Sequence, residues 1–203
     1  MTRMPKHIQG VPIHPLLVHL PVVLIPLLAL LMLAYVVIPG VRRHIGWAVL
    51  LATIAVPGLV YLTRQSGDVM KDEILHKLRA SGVDVSSKVN AINIHDGYSK
   101  VIFWLTLVLV PITLLFMALE RGRRSVAVRG NRSVAFPSAA AEESESDTVS
   151  LPERHGDDDP AGRGRTIVMI VLGLVMLGLI GVSTWYLYKA GHSGALMVWS
   201  GED

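Results

Sequence analysis

The sequence predicts an all-α integral membrane protein: a four-helix bundle with an interfacial outer helix and a disordered cytoplasmic loop. Three observations predict it. Hydrophobic residues make up 51% of the 203 and charged residues only 17%, with a mean hydropathy of +0.48. The apolar residues gather in four runs, on the scale of the roughly 30 Å hydrocarbon core at about 1.5 Å per helical residue. The charges lie between those runs, so each run reads as a span and each polar segment as a loop.

The first run covers residues 16–38. Its apolar stretch is too long for a signal peptide, and no small-residue cleavage site follows it. Pro15 suits a first helical turn, where its missing N–H is not needed. Pro21 and Pro26 lie inside the run, which predicts bending. Pro39-Gly40 ends it, and Arg42-Arg43-His44 forms a tight basic turn. The second run, residues 46–63, is short and carries Pro57-Gly58, a predicted hinge or close helix contact. The third, residues 101–119, carries Pro111, and the fourth, residues 166–187, carries Gly173, Gly178 and Gly181.

Between the second and third runs, Met70, Ile74 and Leu78 recur at four-residue spacing among charged neighbours. This reads as a short amphipathic helix at the membrane interface. Ser86-Ser87 is placed to cap a further helix leading into the third span. Residues 120–165, rich in Arg, Ser, Glu and Asp, read as a disordered loop. The chain thus divides into residues 1–119, with three spans and the outer loop 64–100; residues 120–165, the cytoplasmic loop; and residues 166–203, the fourth span and an outer tail. No internal repeat is read from the sequence.

Arginine sets the orientation. Arg121, Arg123, Arg124, Arg129 and Arg132 follow the third span, Arg163 and Arg165 precede the fourth, and Arg42 and Arg43 lie in the first turn. The positive-inside rule then puts loop 120–165 in the cytoplasm and both termini outside the cell membrane. Arg64, Lys77 and Lys100 in the outer loop weigh against this assignment.

Six of the eight histidines, His7, His14, His19, His76, His95 and His192, then fall on one side. Imidazole is costly in lipid and is a ligand for metals and haem iron. His14 and His19 are five residues apart, a rotation of about 140°, so they cannot share a face if both are helical. His95 has Asp96 beside it and Ser99 one turn on, groups of the kind that fix an imidazole tautomer. His192 lies between glycines in G-H-S-G. Asp68, at the end of the second span, is placed to ligate a metal, bond a histidine, or pair with Lys100 or Arg64, the plain ion pair being the simplest of these. For each histidine the simple alternative is an interfacial ring bonded to backbone carbonyls, or a polar helix end. Met32, Met117, Met169 and Met176 read as packing or lipid-facing residues.

The chain has no cysteine, which excludes disulfides, thiolate zinc sites, iron–sulfur clusters held by thiolates and covalently attached c-type haem. The sequence also lacks H-E-x-x-H, G-x-x-x-x-G-K and G-x-S-x-G, and no nucleic-acid-binding motif accompanies the net charge of +3.

The opening G-V-P-I-H-P-L-L-V-H-L-P resembles the hallmark of a family of bacterial four-span membrane proteins of uncharacterised activity. Members carry I-H-P-x-x-V-H-x-P at the first helix, glycines and an aspartate after the second, a histidine at the third and a G-H-x-G-like end after the fourth. Here those positions are His14, Pro15, His19, Pro21, Gly67, Asp68, His95 and His192. The resemblance covers residues 10–119 and 166–195, with the acidic part of the loop as an insertion. Some relatives are fused to Rieske-type domains, which implies a redox setting and a redox protein partner.

Three readings of function follow. One is a non-enzymatic electron-transfer subunit holding haem b through His19 and His95, with His14 or His192 replacing one or binding a propionate. The second is a copper or zinc site drawn from His14, His19, Asp68, His95 and His192. The third is an accessory subunit of a membrane complex with no cofactor. In each, the lipid bilayer is the immediate partner.

Overall fold

The computed structural model describes residues 7–8, 10–82, 86–132 and 160–199. Two short strands, β1 (His7–Ile8) and β2 (Val11–Pro12), pair antiparallel in the register His7 with Pro12 and Ile8 with Val11. Gly10 turns the chain between them at φ 82°, a conformation open to glycine at no steric cost. Four helices follow: α1 (Ile13–Val37), α2 (Arg42–Ala80), α3 (Ser86–Arg132) and α4 (Pro160–Trp199). A 3-10 turn, Pro39–Val41, joins α1 to α2.

The chain is a multi-pass membrane protein by the length and composition of these helices. All four contain windows of mean hydropathy between 2.0 and 2.7, of which only 28–33% is buried against the rest of the protein. A helix of a soluble bundle would turn polar residues outward. Here Val23, Leu30, Leu51, Trp104, Ile170 and Leu174 are exposed instead. Lipid is the solvent that such a surface fits.

Two compact units divide the chain, Met1–Leu114 with Leu174–Asp203, and Leu115–Gly173. In the first, α1 packs along α2. Its core includes Ile25, Leu28, Met32, Tyr35, Val49, Val56, Leu109 and Met176. Thr53, Thr106 and Ser183 are buried there, and each donates to the carbonyl four residues earlier, so these three hydroxyls are satisfied within their own helices. At the turn after α1, Arg42 donates through Nε to the Tyr35 carbonyl at 2.8 Å and through Nη2 to Val36 at 2.7 Å. A cation thereby satisfies carbonyls that the helix end leaves free. In the second unit, Phe116, Met117 and Met169 are buried, and Arg165 donates to the Leu119 carbonyl. Met32, Met117, Met169 and Met176 are all packing residues.

Two expectations change. The segment around Met70, Ile74 and Leu78 is not a separate interfacial helix but the last turns of α2, which runs unbroken for 39 residues. At about 1.5 Å per residue it is roughly 60 Å long, twice the hydrocarbon core. No helix breaker stands between Gly58 and Ala80, and Gly67 is tolerated inside the helix. Pro57 is buried, and α2 continues on both sides of it. Finally, α3 extends to Arg132 and α4 begins at Pro160, so the ends of the segment expected to be loop are helical. The expectation of disorder for residues 133–159 lies outside the described residues.

Candidate functional site

His14 stands in the first turn of α1 and is turned toward α2. Its Nδ1 lies 3.0 Å from the Thr63 carbonyl and 3.0 Å from Ser66 Oγ. A carbonyl can only accept, so Nδ1 carries the proton and Nε2 keeps the lone pair. The Ser66 hydroxyl donates back to the Thr63 carbonyl at 2.7 Å, which leaves its oxygen as a second acceptor for Nδ1–H. Gly67 makes the fit possible. A Cβ there would stand 3.0 Å from His14 Cε1 and 3.3 Å from Nδ1, so the ring rests on bare backbone.

His95, on α3, is mounted on α4 in the same way. Its Nδ1 lies 3.0 Å from the Ala190 carbonyl and 3.1 Å from Ser193 Oγ. Ser193 donates back to Ala190 at 3.0 Å. A Cβ on Gly194 would meet His95 Cε1 at 3.4 Å. The tautomer is again Nδ1–H, with Nε2 as the free donor. Neither ring's Nε2 has a hydrogen-bond partner among the described residues.

The mount is therefore built twice: a histidine after isoleucine on one helix, then a carbonyl, a serine three residues on and a glycine four residues on along the next helix. The separation from histidine to serine is 52 residues in the first half and 98 in the second. The excess is the length of the polar segment 120–165. This is an internal repeat that the sequence reading did not find. The signal was present in Ile13-His14 with Ser66-Gly67 and in Ile94-His95 with Ser193-Gly194, but such pairs mean little until helix contacts align them.

Both rings belong to the same compact unit. The other predicted residues are placed differently. His19 is also in α1 but on an exposed face, and its Nδ1 lies 2.7 Å from the Pro15 carbonyl of its own helix. The rotation expected between His14 and His19 separates them. His192 is exposed, with its ring stacked on Tyr188 at 6.1 Å and 14°. Asp68 is exposed.

The ion pair expected of Asp68 is made by Asp96 instead. Asp96 accepts from Lys100 Nζ at 2.7 Å, one turn along α3, and lies 3.5 Å from Arg64 Nη2. Asp96 and Ser99 consequently do not fix the His95 tautomer. Ser99 donates to the Asp96 carbonyl at 2.8 Å, and α4 supplies the groups that hold the ring.

Among the described residues, no three histidine or carboxylate side chains gather as a metal cage. What the described residues do show is a pair of imidazoles held alike. A cleft of about 180 Å³ opens beside His14, with Ser66, Val69, Met70 and Glu73 in its wall. It has no lining residue from α3 or α4, so it is not the space between the two rings.

Comparison with family models, with curated proteins and with solved structures finds no match to this chain. The class is set by the helices themselves: a four-helix, multi-pass membrane protein. The likeness to the bacterial four-span family rests on its motif residues alone.

Proposed function

We propose that this protein is a membrane electron-transfer subunit that holds one haem b between His14 and His95. The observation that carries the reading is the duplicated mount, which fixes two imidazoles on different helices with Nδ1–H bonded and Nε2 free. A hydrogen bond from the ring N–H to a carbonyl is the usual outer support of a ligating histidine, and it raises the basicity of the other nitrogen. Zinc needs three or four protein ligands. Haem iron takes four nitrogens from the porphyrin and asks two of the protein. The donor set therefore fits haem better than a divalent ion.

A bound haem would supply a one-electron carrier. The chain's own work is positional: Thr63, Ser66, Ala190 and Ser193 hold the rings in one tautomer, and the apolar helices exclude water. His14 thus takes the ligand role that the first-helix motif first suggests for His19. The arginine-rich turns support an outward-facing histidine end, and the resemblance to relatives fused to Rieske-type domains fits a redox partner there.

The test is an absorption spectrum of the purified full chain, expressed with haem and metals supplied. Expected is a Soret band that sharpens and shifts on dithionite reduction. It should be lost in His14→Ala and in His95→Ala, and kept in His19→Ala and His192→Ala. About one zinc or copper per chain without a Soret band would replace haem by a metal. Neither haem nor metal would leave an accessory subunit.

A further inference from the structure

We infer that Arg64 is the anchor for a carboxylate on the edge of the ligand, a haem propionate on the two-imidazole reading, upon which this inference rests. Arg64 belongs to the same turn of α2 as the His14 mount, directly after Thr63 and two residues before Ser66. Its side chain is only 20% exposed, and its Nε is buried with no hydrogen-bond partner. An arginine at such a place in a membrane protein is costly unless its donors are used.

The partners at hand do not use them. The contact with Asp96 Oδ1 is long at 3.5 Å, and the other Asp96 oxygen is held by Lys100 at 2.7 Å. The guanidinium carbon lies 5.9 Å from the Phe103 ring centroid, which restricts the group from one side and gives it no acceptor. Arg64, Asp96 and Lys100 together carry one net positive charge. An incoming carboxylate can take the unused face of the guanidinium while Asp96 remains with Lys100. The planar fork of Nε–H and Nη–H matches the two oxygens of one carboxylate.

The repeat strengthens the assignment. Aligning the two mounts sets Thr63 against Ala190, Ser66 against Ser193 and Gly67 against Gly194. Arg64 then falls against Gly191, which is exposed and has nothing near its Cα substituent position. The ring supports are duplicated, and the cation is not. A porphyrin has the same asymmetry: it offers an axial position on each face but carries both carboxylates on one edge. Arg64 directly follows Thr63 of one mount and lies 3.5 Å from Asp96, which directly follows His95 of the other.

The experiment compares haem b with its dimethyl ester, in which both carboxylates are capped, by spectroscopic titration of the full chain in detergent. The unaltered protein should bind the free acid roughly tenfold tighter or more, as expected for loss of a charge-assisted pair. Arg64→Gln should bind both forms with equal affinity while keeping the bis-imidazole spectrum. Arg64→Lys, which keeps the charge and loses the fork, should retain part of the preference and serves if the glutamine variant does not fold. Equal binding of acid and ester by the unaltered protein, or full discrimination by Arg64→Gln, would overturn the anchor and leave the imidazole pair standing. Failure of both forms to bind the unaltered protein would overturn the anchor and the imidazole pair together.

Discussion

His14 and His95 are held alike and surrounded differently. Each ring gives its Nδ1–H to a carbonyl and a serine of the next helix and lies on a glycine. Around His95, however, α3 supplies Asp96 and Lys100, where α1 has Pro15 and His19 at the matching positions. Arg64 has only Gly191 opposite it in the repeat. The shared part is what a ligating imidazole needs. The unshared part is charge, gathered on one side. On the proposed haem reading, a site symmetric about an iron and asymmetric about a porphyrin edge would be built in this way, so the difference between the halves is as informative as the likeness.

The comparison breaks most readily at the rings. His14→Ala and His95→Ala should each abolish the bis-imidazole spectrum, and the double variant should be no worse than either, since one missing axial ligand already removes that coordination. Unequal loss, with one variant retaining the band, would show that the two mounts are not equivalent. The readout is the Soret region with and without dithionite.

Glycine sharpens it next. Gly67→Ala brings a Cβ to 3.0 Å from His14, whereas Gly194→Ala brings one to 3.4 Å from His95, an ordinary contact. The first substitution should overpack the site and cost about 1–3 kcal/mol, displacing His14. The second should be near neutral, because its contact is offset by the better helix propensity of alanine, about 1 kcal/mol. Thermal unfolding of the two variants in the same detergent checks the order.

Serine should act equally in both halves. Ser66→Ala and Ser193→Ala each leave the carbonyl as acceptor and remove the hydroxyl, an effect of about 0.5–1.5 kcal/mol. With haem bound, the two should shift the reduction potential in the same direction and by similar amounts, since each weakens the same kind of support to a ligand. A potential that moves in one variant alone would separate the halves.

The smallest effect is expected where the halves differ at the surface. Lys100→Ala removes an ion pair on a half-exposed side chain and should cost under about 1 kcal/mol. His19→Ala, at the matching place on α1, should change neither stability nor spectrum measurably. A larger effect at His19 than at His14 would return the ligand role to His19.

The order of legibility follows from range. The four spans were readable because a run of apolar residues is a local property, and lipid requires every backbone group to be satisfied within its own helix. His14 and His95 were readable as candidates from residue type, as was the 140° rotation that separates His14 from His19. The mounts were not. Whether Ser66 or Asp96 supports a histidine depends on how neighbouring helices are rotated and staggered, and apolar sequence facing lipid on most sides encodes that rotation weakly. The end of α2 shows the same limit, since an amphipathic pattern fixes a helix but not whether it continues from the one before.

By itself, then, the sequence determined a four-span helical membrane protein with histidines concentrated at particular helix ends, because length, hydropathy and charge placement act locally along the chain. Only the tertiary structure decided that His14 rather than His19 is mounted against α2, that Ser66-Gly67 and Ser193-Gly194 are equivalent, and that Asp96 takes the ion pair expected of Asp68. Those outcomes depend on contacts of about 3 Å between residues 52 and 98 positions apart, and distances of that kind exist only once the helices have packed.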